Sequence, residues 1–489
     1  MSEVPGTGCP PEPMKHISLE PWQSHPLSFA NTSIRLFEYD GMLLRGISAT
    51  YEPQVRELFK KGVLDALIAR DLLVQTEISD YSSDEYPLVL KHERISTITY
   101  PAEWAPEALR AVGMAVLDLQ EVLLNHGYIL GDICPWNILF RRTEPVFVDF
   151  GSLVWGAAAT IEQFVNEFHR YYIWPLQLAK KGLWRYVIYL VGDFNHAVQY
   201  DDALLLLGPR ELARSATFPG RARIWSGEFL RRTLPESVNK YLRRLGIGVK
   251  APAAKPSTTD LRVRIDDLRA SLSGVKLPKN DRWAKYYEES QTFDRLNDWN
   301  QKQLSVKQVL GEVSPRSLFD VCPSGGWYSL LAGSMGIRVV SSDVVPEMMN
   351  QLYLTARNGD RDIYPIVMDF CDPTPARGVA NNWFKPATQR FRSEMVMCLA
   401  AVPTLVFGSQ LSFDQIVAGL AAFSEKWLLV EFIPWEDEIA GKYWEARQHH
   451  WYTQANFVHA LEHHFRIRRT YLSFPATRKL FLCERNETA

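Results

Sequence analysis

In the run Ser317–Asp343, SLFDVCPSGGWYSLLAGSMGIRVVSSD, residue types and spacing suit a nucleoside ligand. Leu318 and Phe319 lead into Asp320 at a strand end. Ser324, Gly325 and Gly326 make a turn without bulky side chains, and Tyr328, Leu331 and Ala332 then recur at helical spacing. Ile337, Val339 and Val340 form a second β-branched run that ends at Asp343. Small residues let backbone approach a ligand closely, and an acid at the next strand tip accepts hydrogen bonds from ribose hydroxyls.

Two ligands compete for such a turn. A dinucleotide site asks for G-x-G-x-x-G, with the pyrophosphate on a helix N-terminus. The turn Pro323-Ser324-Gly325-Gly326-Trp327-Tyr328 lacks that pattern. D-x-x-x-x-G-G followed by an acid at the next strand end resembles motifs I and II of class I S-adenosylmethionine (SAM)-dependent methyltransferases. That resemblance implies a Rossmann-like α/β fold, SAM as cofactor, and cofactor contacts from Asp320, Ser324, Gly325, Gly326 and Asp343. Ile363–Asp372 reads as a third strand ending in Asp369, whose counterpart in that family contacts adenine, with Phe370 beside it. Met395–Ala401 reads as the fourth strand and Trp427–Phe432 as the fifth. Phe465–Leu472 and Lys479–Glu484 read as the antiparallel hairpin that completes a sheet of seven strands.

The chain has 489 residues, enough for two or three domains, and 46% hydrophobic with 22% charged residues predicts an ordinary packed core. A formal net charge of -2 gives no reason to expect nucleic acid as a partner. The six cysteines are scattered without zinc spacing, which fits reduced thiols in the cytoplasm. The start, MSEVPGTGCPPEP, has neither the basic nor the apolar region of a signal peptide, and no apolar run is long enough to span a membrane.

Residues 1–34 read as a flexible N-terminal segment, 35–248 as one domain, 249–260 (VKAPAAKPSTTD) as a linker, and 261–489 as the methyltransferase domain with leading cover helices. In the first of these domains, His126–Leu153 (HGYILGDICPWNILFRRTEPVFVDFGSL) carries Asp132 and Asn137 at D-x-x-x-x-N spacing and then Asp149-Phe150-Gly151. This resembles the catalytic loop and DFG segment of kinase-like folds, and the H-G-D…N-I-L…D-F-G run of aminoglycoside-type phosphotransferases. The resemblance implies an α+β kinase-like domain in which Asp132 would be the base, and Asn137 and Asp149 would hold Mg²⁺. The pattern departs from those enzymes. Leu130 stands where a His precedes the catalytic dipeptide, no glycine-rich loop is evident, Arg45 stands where a phosphate-pairing Lys would be sought, and Lys91 lies in hinge-like text. A degenerate domain serving as scaffold or substrate-binding module follows from those losses.

Taken together, the halves resemble the nodulation host-specificity type proteins, a group of class I SAM-dependent methyltransferases. The resemblance rests on LGDICPWNILFRRTEPVFVDFGSL, on HERISTITYPAEW (His92–Trp104) and on VEFIPWED (Val430–Asp437). D-V-C-P-S-G-G replaces that family's D-x-G-x-N-x-G, and Leu399–Thr404 replaces its A-L-x-H-H-L. The resemblance implies methyl transfer to a small-molecule or glycan-like acceptor.

Methyl transfer from a sulfonium is an in-line displacement that needs alignment in a dry pocket. A base is needed only if the acceptor must lose a proton. Glu431, Asp437, His449, His450 and Tyr452 follow the fifth strand and are the candidates, with strand-end salt bridges or a solvated helix edge as the plainer explanation of each. The expectation is therefore a cytoplasmic SAM-dependent methyltransferase acting on a small-molecule or saccharide acceptor, with no nucleic-acid or membrane partner and no metal unless the kinase-like site is active. A phosphotransferase or bifunctional enzyme using Asp132, Asn137 and Asp149 with ATP and Mg²⁺, and a non-catalytic binding protein, remain as alternatives.

Overall fold

A computed structural model describes residues 15–16, 23–25, 28, 33–154, 161–193, 197–208, 211–212, 258–278, 298–437 and 449–487. The expected linker falls outside these residues except for its last three, which are helical, and much of the leading cover segment also lies outside them.

In the N-terminal half, β1 (Gln23–Ser24), β2 (Ile34–Tyr39), β3 (Met42–Ile47), β4 (Thr76–Ile78) and β5 (Leu88–His92) form an antiparallel sheet in the order β1-β2-β3-β5-β4. Asp40 (φ 48°) and Gly41 (φ 73°) make the two-residue turn between β2 and β3, a conformation that Asp-Gly adopts readily. The helix α1 (Pro106–Asn125) starts on a proline, and Leu109, Val112, Val116, Leu119 and Leu123 bury one face at helical spacing. Beyond it, β6 (Ile138–Arg141) and β7 (Glu144–Phe147) pair as a hairpin.

The helix α2 (Thr258–Ser273) spans the expected boundary at residue 261. It packs on α1. Leu268 and Leu272 are buried, Arg269 pairs with Asp118 at 2.6 Å, and Arg110 caps the α2 end by donating to the Leu272 carbonyl at 2.5 Å.

The C-terminal half contains α3 (Gln301–Val313), β8 (Ser317–Val321), α4 (Trp327–Ser334), β9 (Arg338–Asp343), α5 (Pro346–Asn358), β10 (Ile363–Val367), β11 (Ser393–Cys398), β12 (Ser424–Phe432), β13 (Phe465–Leu472) and β14 (Lys479–Arg485). The seven strands run in the order β10-β9-β8-β11-β12-β14-β13. The first five are parallel, and β14 inserts antiparallel between β12 and β13. The continuous apolar text of these strands reflects burial on both faces. Two expected strands stop early: the third at Val367, before Asp369, and the fourth at Cys398, before Ala400 at φ 59°.

The halves are joined tightly. One apolar core contains residues of both. The Tyr353 hydroxyl donates to the Thr143 carbonyl at 2.7 Å, Arg357 grips Glu144 through two 2.8 Å bonds, and the Glu107 N–H donates to Asn350 at 2.8 Å. Arg390 and Glu103 form an ion pair with side chains only 2% and 1% exposed. No helix among the described residues is long and apolar enough to cross a membrane.

Candidate active site

After β8 the chain builds β9 and β10 on one side and then returns to place β11 on the other. Open α/β sheets bind ligands outside the carboxyl ends of the strands at such a switch point. Asp320 lies at this end of β8, buried, and its Oδ2 accepts a hydrogen bond from Ser329 at 2.5 Å; Ser329 is in turn bonded by Ser341 at 2.9 Å. The two serines were not foreseen, since neither stands at a spacing that marks a site. Cys322 (φ 55°), Ser324 (φ 53°) and Gly326 (φ 76°) carry the chain through the turn in left-handed backbone. A Cβ on Gly326 would lie 2.6 Å from Leu352 on α5, so this glycine serves both conformation and close packing.

Asp343 ends β9 and ties the turn in place. Its Oδ2 accepts from the Ser324 N–H at 3.1 Å and its Oδ1 from the Val345 N–H at 3.0 Å, at the start of α5. Burial pushes its carboxyl above the usual range, opposed by these backbone bonds. Asp369 is exposed, accepts the Cys371 N–H at 2.8 Å, and acts electrostatically on Asp343 and Cys322. Asp320, Ser324, Gly325, Gly326, Asp343 and Asp369 thus gather around one turn. Phe370 lies beside them but is largely buried. It is buried against Phe423, in the space that a Cβ on Gly419 would enter.

Burial pushes Asp320 up to about 7, with the Ser329 bond opposing. A carboxyl raised in the folded state stabilises most at low pH, and its contribution falls as pH climbs from the ordinary carboxylate range to about 7. Asp320→Asn keeps an acceptor for Ser329 and removes the buried charge. It should flatten this part of the stability–pH curve and raise stability at pH 8, by up to about 4 kcal/mol, checked by melting across pH.

Three of the five candidate bases, Glu431, Asp437 and Tyr452, are occupied. Glu431 is fully buried; its Oε2 accepts from Lys302 Nζ at 2.6 Å and the Ala400 N–H at 2.8 Å, and its Oε1 from Ser473 at 2.6 Å. Asp437 is clamped by both nitrogen arms of Arg478, at 2.8 and 2.9 Å, and by Thr477 at 3.0 Å. Both carboxylates are therefore structural, not free bases. Tyr452 is buried and donates to the Ile433 carbonyl at 2.8 Å. His449 and His450 are exposed, and His449 stacks between Phe407 (ring centroids 5.6 Å apart) and Trp451 (5.2 Å).

In the N-terminal half, Arg45 lies on β3 and faces Asp149 at 3.9 Å. Its Nε donates to His92 Nε2 at 3.1 Å, and His92 Nδ1 meets the Thr76 hydroxyl at 2.9 Å. Burial, then Arg45, push His92 well below its ordinary range, which keeps it a neutral acceptor. Asp149 also accepts from the Gly151 N–H at 3.1 Å and from Ser152, while Asp132 accepts from the Cys134 N–H at 2.8 Å. Asn137 closes the turn into β6. Among the described residues, no group of three or more His, Cys, Asp or Glu is arranged to hold a metal ion.

No known protein-family model matches the chain. The chain is 24% identical over 492 aligned residues to the nodulation protein NoeA of Rhizobium meliloti (strain 1021), covering 94% of this chain and 96% of the relative. It is 31% identical over 107 residues to a glycine/sarcosine N-methyltransferase of Parasynechococcus marenigrum (strain WH8102), covering 21% of this chain and 38% of that protein. Among solved structures, it is similar to the magnesium protoporphyrin IX methyltransferase ChlM of Synechocystis PCC 6803 with bound SAH, at 17% identity and a TM-score of 0.28, covering 42% of this chain and 98% of that one. The sheet order and the left-handed turn at its switch point give the C-terminal half a Rossmann-like, mostly parallel α/β fold.

Proposed function

We propose that the chain transfers the methyl group of SAM to an oxygen, nitrogen or carbon of a small metabolite or saccharide. Asp320, Ser324, Gly325, Gly326, Asp343 and Asp369 grip the cofactor. The observation that carries this reading is the convergence of acids from three neighbouring strand ends on one left-handed turn, at the switch point of the sheet. Asp343 holds the turn by its N–H groups and has lone pairs left for ribose hydroxyls. In the reaction the bond from the methyl carbon to sulfur breaks, with its electron pair passing to sulfur, as the bond to the acceptor forms. Alignment in a dry pocket supplies most of the rate. Where the acceptor must lose a proton, His449 and His450 are the remaining candidate bases, because Glu431, Asp437 and Tyr452 are engaged. The likeness to a glycine/sarcosine N-methyltransferase supports a small-molecule acceptor.

The N-terminal half serves this enzyme as a degenerate kinase-like scaffold. The third strand of its sheet carries Arg45 where kinases carry the phosphate-pairing lysine, and the guanidinium sets its charge against Asp149. The Arg357–Glu144 and Tyr353–Thr143 contacts fasten this half to α5, whose first turn Asp343 holds.

Calorimetric titration tests the cofactor site. Asp343→Ala should weaken SAM binding by about 1–3 kcal/mol, roughly five- to 150-fold. Unchanged affinity would remove Asp343 from the site.

A further inference from the structure

Glu431 is bound by donors from three separate segments. Lys302 comes from the first turn of α3, Ala400 from the loop after β11, and Ser473 from the connection between β13 and β14. The Lys302 ammonium also lies 5.3 Å from the centre of the Tyr328 ring, which follows the glycine turn. The Ala400 loop leaves the sheet at the switch point, since Cys398 on β11 pairs in register with Val321 on β8.

We propose that Glu431 is a positioning residue for methyl transfer: oriented by Lys302, it pins the Ala400 backbone so that the loop after β11 forms a fixed wall of the acceptor pocket. The inference rests on the SAM-dependent reading above. Alanine is strained at φ 59°, so this backbone persists only where something holds it. The Glu431 carboxylate supplies that hold through the Ala400 N–H. A buried ion pair is a poor way to gain stability, because an apolar pair of similar volume is often as stable or more so. What a satisfied buried polar network adds is a single arrangement of the segments it joins. Here those segments are the first turn of α3, the loop after β11 and the connection between β13 and β14.

The experiment separates stability from alignment. Lys302→Met with Glu431→Met replaces the pair by apolar side chains and removes the acceptor of the Ala400 N–H. The double variant should melt near the wild-type temperature and bind S-adenosylhomocysteine within about threefold of wild type. Transfer of labelled methyl from SAM to the small-molecule fraction of a cell extract should fall at least about tenfold. Adding Ala400→Gly should recover part of that loss, because glycine adopts left-handed backbone without a hold. Glu431→Gln, which keeps an oxygen for the Ala400 N–H, should retain more transfer than the double variant. Should the double variant not fold, Glu431→Met alone is read in its place, with Lys302 free to turn to solvent. Transfer at the wild-type level, or transfer lost only in step with melting temperature and not recovered by Ala400→Gly, overturns the proposal. A wild-type protein that binds no S-adenosylhomocysteine defeats the underlying SAM reading instead.

Discussion

Replacing Arg390 with methionine should lower unfolding free energy by about 3–5 kcal/mol, because it leaves a buried carboxylate without its cation. The Arg390 side chain is 2% exposed and that of Glu103 is 1% exposed. Both terminal nitrogens of Arg390 engage both oxygens of Glu103, and Arg390 also donates to the Ile98 carbonyl at 2.8 Å. Its guanidinium lies 3.7 Å from the centre of the Tyr100 ring, where a desolvated cation–π contact adds to the pair. After the substitution, Glu103 keeps the Tyr100 N–H at 2.8 Å but no cation. Denaturant unfolding with the slope unchanged measures the cost. Adding Glu103→Leu should restore much of the loss, because the penalty is the orphaned charge and not the missing attraction. A single variant within about 1 kcal/mol of wild type would show that the junction between the halves does not depend on this pair.

Gly326→Ala should cost both stability and SAM affinity, whereas Gly336→Ala should cost only stability. Both glycines have left-handed backbone, φ 76° and φ 80°. A side chain there costs roughly 1–2 kcal/mol. A Cβ at Gly336 meets nothing within 4 Å, but at Gly326 it meets the fully buried Leu352 at 2.6 Å. Leu352 belongs to α5, so the collision must shift either the turn or the helix that Asp343 holds. The expected result is a fall in SAM affinity of at least about tenfold in Gly326→Ala, with Gly336→Ala within about twofold of wild type, both by calorimetry. Equal effects of the two variants would mean that turn packing plays no part in cofactor binding.

The sheet was legible because its signal is local. β-branched runs ending in Asp320 and Asp343, a turn of small residues and a terminal pair of strands all lie within short windows, and the structure places each where the pattern puts it. The fates of Glu431 and Asp437 were not legible. Lys302 and Glu431 are 129 positions apart and Arg390 and Glu103 are 287 apart, so no window contains both partners. A carboxylate at a strand end reads the same whether it is free or paired. The packing of Phe370 was not legible for a related reason: beside an exposed aspartate it could face ligand or core, and its approach to Gly419 is visible only in the fold. The packing of α2 on α1 was not legible either, because a proline- and alanine-rich stretch marks a break in the chain and not the surface on which the next helix packs.

One titration bears most directly on the central claim. Calorimetry of the full chain with SAM should give one site per chain, weakened in Asp343→Ala and in Gly326→Ala. No binding to the wild-type chain at millimolar SAM, or binding that neither substitution disturbs, would contradict the assignment of the crevice around Asp320, Gly326 and Asp343 to the cofactor.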